Sequence, residues 1–342
     1  MNRRIPWLFI LGALTVSACA SHNATAQTAP CSMTAASPWI EHWLDAWTLV
    51  SDEILHISDA RPPLIVFYDS TCVYTNSAVT AGGRPPVDGP TLRGAALPWR
   101  ALPHDTTITL PDSSQVPIAL MSFTNVAHKT QPYFVMAAPS FWEPIVGPDS
   151  TQYTGVFLHE FTHTRQIRGI GKRIGPIDST WAYPEELNDD AVQTHFGTDS
   201  VYVAAYLAER DLLYRAADAD SLTEVRALAA QALAMIRARH ARYFTGDKAE
   251  FAELDNVFMS LEGAGQWVAV AWLSHPDGGK LTRDAAVKKM LGRRRWWVQD
   301  ESLAIFLVVD RLLPNWPQLV FDTPSSIGAL DLLDRAVNAP VH

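Results

Sequence analysis

Cysteine is scarce in this chain, with three in 342 residues, at positions 19, 31 and 72. So few cannot build the disulfide-dense scaffold of small secreted domains. Basic charge is also short. Lys and Arg number 27 against 36 Asp and Glu, a formal net charge of −9, and no nucleic-acid partner is expected from that balance. No internal repeat or low-complexity block interrupts the chain. Long apolar runs are lacking too: the one near the N-terminus, Ile5 to Val16, is too short to cross a bilayer.

That short run follows Arg3 and Arg4 and leads into small residues, the layout of a secretory signal. Its end, Val16-Ser17-Ala18-Cys19, resembles the lipobox of bacterial lipoproteins, which implies cleavage before Cys19 and a lipid on that cysteine. Residues 1–19 are then a lipoprotein signal and residues 20–36, rich in Ala, Ser and Thr, a tether. Ala20 in place of Asp points to the outer membrane of a Gram-negative cell, with the protein on the periplasmic or surface side. An ordinary signal cut near Ala26 is the alternative. With Cys19 lipidated, Cys31 and Cys72 remain, and two cysteines in an exported chain are expected to form a disulfide.

What is present is apolar and aromatic: 48% hydrophobic residues and 12 Trp, enough for a large core. "SPWIEHWLDAWTLV" predicts a helix with Ser37 as cap, Pro38 in its first turn, and Ile40, Trp43, Leu44, Trp47 and Val50 on one face. Between residues 62 and 145 the texture changes to short β-branched and aromatic runs, "PLIVFYDSTCVYT", "DTTITLPD", "VPIALMSFTN" and "PYFVMAAPSFW", divided by Pro, Gly and Asn. Beyond Gly147 the patterning is helical, apart from a loop "GPIDSTWAYPEELNDD". The expected fold is α+β, a β-rich part over 37–147 followed by a largely α-helical domain over 148–342.

Within a helix expected over 151–168 the chain reads "FLHEFTH". At about 100° per residue His159 and His163 share a face one turn apart, so both imidazoles can reach one ion, with Glu160 beside that face. Two neutral nitrogen ligands, an open position for water and an adjacent carboxylate are what a metal hydrolase needs. A third protein ligand must come from elsewhere, because "TRQIRG" follows the motif without another histidine. Three later glutamates compete: Glu186, with Asp190 four residues on, Glu209 in "LAERDLLYRA", and Glu262 in "LEGAGQWVAV". His195 and Tyr183 are candidates for stabilising an oxyanion, and "RARHAR" and "GRRRWW" read as solvated helix faces or bundle-edge ion pairs.

"HEFTH" followed at a distance by "EGAGQWVA" resembles the gluzincin metallopeptidases, whose zinc glutamate often lies in an E-G-x-A helix. The resemblance implies a zincin-like bundle with Zn2+ on His159, His163 and Glu262 and with Glu160 as general base; Glu209 and Glu186 stay as alternatives, and Glu301 in "DESLAIF" is a fainter echo. Small residues beside Glu262 let its helix approach closely, with Trp267 packed behind. This chain departs from the family in a much longer separation between the two segments, and Gly265 stands where those proteins have alanine. The expected function is a lipid-anchored zinc metallopeptidase acting on peptides or proteins, its β-rich part offering an edge strand to an extended substrate. The alternative is a cell-surface binding or scaffold lipoprotein that keeps the fold without turnover.

Overall fold

The computed structural model describes residues 31–58, 60–127, 131–291, 294–322 and 325–339. The signal, the lipobox with Cys19, and residues 20–30 of the expected tether lie outside the described residues. Among the described residues no helix is long and apolar enough to cross a membrane. The fold is α+β, with strands in the N-terminal part and helices after it. The chain divides into two compact units, residues 1–48 with 60–157, and residues 49–59 with 158–342.

In the first unit, helix α1 (Met33–Leu49) starts earlier than its sequence suggests. Met33 and Ala36 are buried, so residues 33–36, expected in the tether, gain more from packing than from solvation. Pro38 therefore lies inside the helix, where its ring forfeits one backbone hydrogen bond. The strands are β1 (Leu64–Tyr68), β2 (Cys72–Thr75), β3 (Thr91–Leu92), β4 (Ala95–Ala96), β5 (Arg100–Pro103), β6 (Thr107–Thr109), β7 (Gln115–Pro117), β8 (Ser122–Ala127) and β9 (Gln131–Ala137). Five of them form a sheet in the order β5-β2-β1-β9-β8, with β5 and β8 as its edges; β3–β4 and β6–β7 are small separate hairpins. β1 runs parallel to β9, Val66 facing Val135, while the other pairs are antiparallel.

The β1–β2 hairpin is closed by Asp69, whose Oδ1 accepts from the backbone N–H groups of Thr71 (2.8 Å) and Cys72 (2.7 Å). This turn presents Cys72, which is bonded to Cys31 with 5.7 Å between Cα atoms, the pairing expected from cysteine scarcity. β1 is buried from Ile65 to Tyr68, as its unbroken apolar run requires. Trp43 of α1 packs on Phe67 at 5.3 Å and stacks on Phe157 at 5.2 Å. "PYFVMAAPSFW", read as one strand run, ends as a strand at Ala137. Pro139 then opens helix α2 (Pro139–Val146), because proline suits a first helical turn and cannot extend a ladder.

Helix α3 (Ser150–Gln166) carries the histidine motif. The second unit continues with α4 (Ile174–Thr180), α5 (Ala191–Phe196), α6 (Ser200–Asp218), α7 (Leu222–Tyr243), α8 (Glu250–Ser274), α9 (Arg283–Leu291), α10 (Trp297–Leu312) and α11 (Ala329–Asn338). α4 occupies the start of the stretch read as loop. Asp199 caps α6 through Val201 and Tyr202, and Ser221 caps α7 through the N–H of Glu224. α8 is buried around most of its circumference and is the axis of the bundle, packed along α10. Gly263 permits that contact: a Cβ there would stand 2.5 Å from Phe306 and 2.8 Å from Ser302.

Arg239 knots the bundle together. Read from "RARHAR" as part of a solvated face, it is 4% exposed, while Arg237 two residues earlier meets Asp334 at the surface. Its guanidinium donates to Glu209 of α6, to the Tyr202 hydroxyl, to Asp255 of α8 at 3.3 Å and to Glu301 of α10 at 3.2 Å. One cation thus serves three buried carboxylates. Burial pushes Glu209 up to about 7 against the pull of Arg239, and raises Glu301 well above the carboxylate range. Asp255 stays below its usual value because Arg239 and His240 outweigh burial. Replacing Arg239 by Leu strands these acids, and equilibrium denaturation is expected to report a loss of about 3–5 kcal/mol. Glu209→Gln, which keeps an acceptor, is expected to cost clearly less. A loss under about 0.5 kcal/mol for Arg239→Leu would contradict the knot.

Candidate metal centre

His159, Glu160 and His163 occupy the last two turns of α3, and all three are buried. The i, i+4 spacing brings the two imidazoles within 5.0 Å, centre to centre, with their planes nearly perpendicular. α3 runs antiparallel to α8 here, as three contacts indicate: Gly265 at His159, the Ser260 carbonyl at Gln166, and Glu262 between them. Glu262 directs its carboxylate at both rings, with Oε2 3.1 Å from His159 Nε2 and Oε1 3.6 Å from His163 Nε2. The three ligand atoms lie within 4.8 Å of one another. Tetrahedral zinc ligands at 2.0–2.2 Å stand about 3.3 Å apart, close to these separations.

The hydrogen bonds around the site fix which atoms face inward. Gln166 Nε2 donates to the Ser260 carbonyl at 2.9 Å, which turns Gln166 Oε1 towards His163 Nδ1, also at 2.9 Å. His163 therefore donates from Nδ1. Burial lowers its pKa to about 4, so the ring is neutral and its Nε2 carries a lone pair. That lone pair looks at Glu262 Oε1 across a gap too long for a hydrogen bond, and Oε1 has no hydrogen-bond partner of its own. Two acceptors facing each other inside a protein are unfavourable unless a cation lies between them. The donor set fits a divalent metal: two neutral nitrogens and one carboxylate, with room left in a four-coordinate shell.

Supporting residues come from three directions. Gln266 Nε2 donates to Gln299 Oε1 at 2.9 Å, so that Gln299 Nε2 is aimed at Glu262 Oε2 at 3.2 Å. The ring of His159 is seated against bare backbone at Gly265, where a Cβ would come within 2.9 Å of Nδ1. Alanine could not stand there without moving the ring. Glu160 is raised well above the carboxylate range, chiefly by burial and then by Glu262 and Asp189. Asp189 is raised in the same way, and Asp190 is pushed up to about 6 by burial and Glu262. The carboxyl groups crowd one another here, and a bound cation would favour their ionised forms.

Of the sequence candidates, the structure brings His159, Glu160, His163 and Glu262 together and leaves the other two glutamates elsewhere. Glu209 is engaged by Arg239, and Glu186 is exposed in its loop. Glu301 also belongs to the Arg239 knot. Tyr183 and His195 pack on Phe251 at 4.7 and 4.8 Å, and His195 meets Glu185 at 2.8 Å. Phe251 begins α8, roughly 16 Å along the helix from Glu262, so neither residue joins the centre. Gln166, Gln299 and Asp189 were not legible as site residues. The one hint was a polar side chain in an otherwise apolar helix, or, for Asp189, the acidic pair closing "EELNDD". Trp267 packs edge-on against Trp316 at 5.0 Å. No family model, curated protein or solved structure matches the chain.

Gly265→Ala is expected to tilt the His159 ring and weaken zinc binding about 10- to 100-fold, measured by competition with a chromogenic chelator, with the far-UV circular dichroism spectrum retained. Unchanged affinity would show that the bare backbone at Gly265 does not hold the ring.

Proposed function

We propose that this protein is a zinc-dependent hydrolase of gluzincin type, exported, anchored by a lipid on Cys19, and acting on peptide bonds. The observation that carries the reading is the Glu262 carboxylate facing both motif histidines, with Glu160 buried beside it. His159, His163 and Glu262 would hold the zinc, which when bound supplies the Lewis acidity that activates water and polarises a scissile carbonyl.

The rest of the chemistry falls to side chains of this chain. Glu160, buried beside the ligands, would take a proton from the attacking water and return it to the leaving amine. Gln166 holds the His163 tautomer that leaves Nε2 free of a proton, and Gln299 holds Glu262 in position. Burial of the whole set keeps bulk water from competing for the ligand atoms. The intact Glu160 separates this reading from a purely structural metal site, which has no use for a base. An exported setting, inferred from the signal-like N-terminus, suits peptide hydrolysis.

The test uses one set of preparations for two measurements. Parent protein is expected to carry about one zinc per chain and to cleave members of a mixed peptide library. Glu160→Gln is expected to keep the zinc and lose about 10²- to 10⁴-fold in turnover, while His163→Ala loses the zinc itself. Zinc without turnover on any peptide would favour the binding or scaffold protein. A parent that holds no metal and takes up none when zinc is supplied would overturn the proposal.

A further inference from the structure

A second concave feature lies away from the metal centre. A cleft of about 340 Å³ opens between α6, α9 and α10. Its Leu307 sits about 12 Å along α10 from Gln299, the residue that touches Glu262. The volume is at the lower end of the range for small-molecule sites. Val287 and the buried Leu291 and Leu307 supply an apolar floor, with the half-buried Tyr214 beside them.

The rim is cationic, although the chain as a whole carries a formal charge of −9. Arg283 is already answered by Asp218 at 3.2 Å. Lys288 forms no ion pair among the described residues. Arg294 is held in place rather than neutralised. One N–H reaches Asp300 at 3.2 Å, and the guanidinium carbon lies 4.5 Å from the centre of the Tyr214 ring. Asp300 is wholly buried and already satisfied by Arg210 at 3.0 Å and the Tyr214 hydroxyl at 2.9 Å. Arg294 is therefore the third donor on that carboxylate, and its remaining N–H groups make no hydrogen bond among the described residues. Asp284 forms no ion pair among the described residues and is one acid set against Lys288 and Arg294.

We propose that this cleft binds a small carboxylate with an apolar body, its anion between Lys288 and Arg294 and its apolar part on Val287, Leu291 and Leu307. A pre-placed guanidinium recognises a carboxylate at little ordering cost, and the floor rewards an attached hydrocarbon. Two sources share this chemistry, a short fatty acid and the C-terminus of a peptide ending in an apolar residue. The site is independent of the metal centre, and zinc takes no part in it.

Titration calorimetry on the zinc-supplied mature chain tests the proposal with four probes. Octanoate and N-acetyl-leucine carry both features, N-acetyl-leucinamide lacks the charge, and acetate lacks the body. At least one of the first two is expected to bind with one-to-one stoichiometry, the better of them identifying the source. Acetate and the amide are expected to bind about tenfold more weakly or not at all. Lys288→Glu and Arg294→Gln, both changes at exposed side chains, are each expected to weaken binding about tenfold, and Val287→Trp to fill the cleft and abolish it. No binding of either carboxylate up to about 10 mM, or binding indifferent to all three substitutions, would overturn the proposal.

Discussion

The close approach of α8 to the His159 ring is the constraint on which the candidate metal centre depends. Gly265 permits it, because any side chain atom there would run into the imidazole. Gly263, two residues earlier, does the same towards α10 by making room for Phe306 and Ser302. Glu262 sits between these two bare positions, so its carboxylate is carried to the histidines by a helix wedged between two neighbours. In the segment "EGAGQW" the two glycines are thus a packing requirement. Bare backbone at Gly265 gives the first histidine a close seat.

Buried and half-buried carboxylates in the bundle include two groups with different partners. Glu209, Asp255 and Glu301 gather around Arg239, where a permanent guanidinium offsets part of their burial. Glu160, Glu262, Asp189 and Asp190 influence one another around the two histidines. Helix α10 serves both groups in one turn: Gln299 donates to Glu262, Asp300 accepts from Arg210 and Arg294, and Glu301 accepts from Arg239. The contrast is informative about function. The first group comes with its own cation, and the second surrounds the candidate ligands His159, His163 and Glu262.

The order of strands and helices was legible because burial writes itself into periodicity. β1 and β9 read as apolar runs and α8 and α10 as long apolar helices, since each is buried along most of its length, while α6 shows the one-sided pattern of a helix with a single buried face. The short helices α2, α4 and α5 were hidden, being one or two turns long and set among prolines and turn residues that argue locally for loop. At the site, His159, Glu160 and His163 could be read from local spacing alone. Glu262 could not, because Glu209 offers the same picture of a lone glutamate in an apolar helix. Its partner decides between them, and that partner, Arg239, looked like one more surface charge in "RARHAR". Gln166 and Gln299 owe their roles wholly to tertiary contact, with Ser260 and Gln266 setting which way each amide points.

X-ray absorption at the zinc K edge, on protein given one equivalent of zinc, tests the centre most directly. The account predicts a shell of two imidazole nitrogens with carboxylate and water oxygens at about 2.0–2.2 Å, and one imidazole fewer for any zinc retained in His159→Ala. A shell without imidazole scattering, or one unaltered by that substitution, would contradict it.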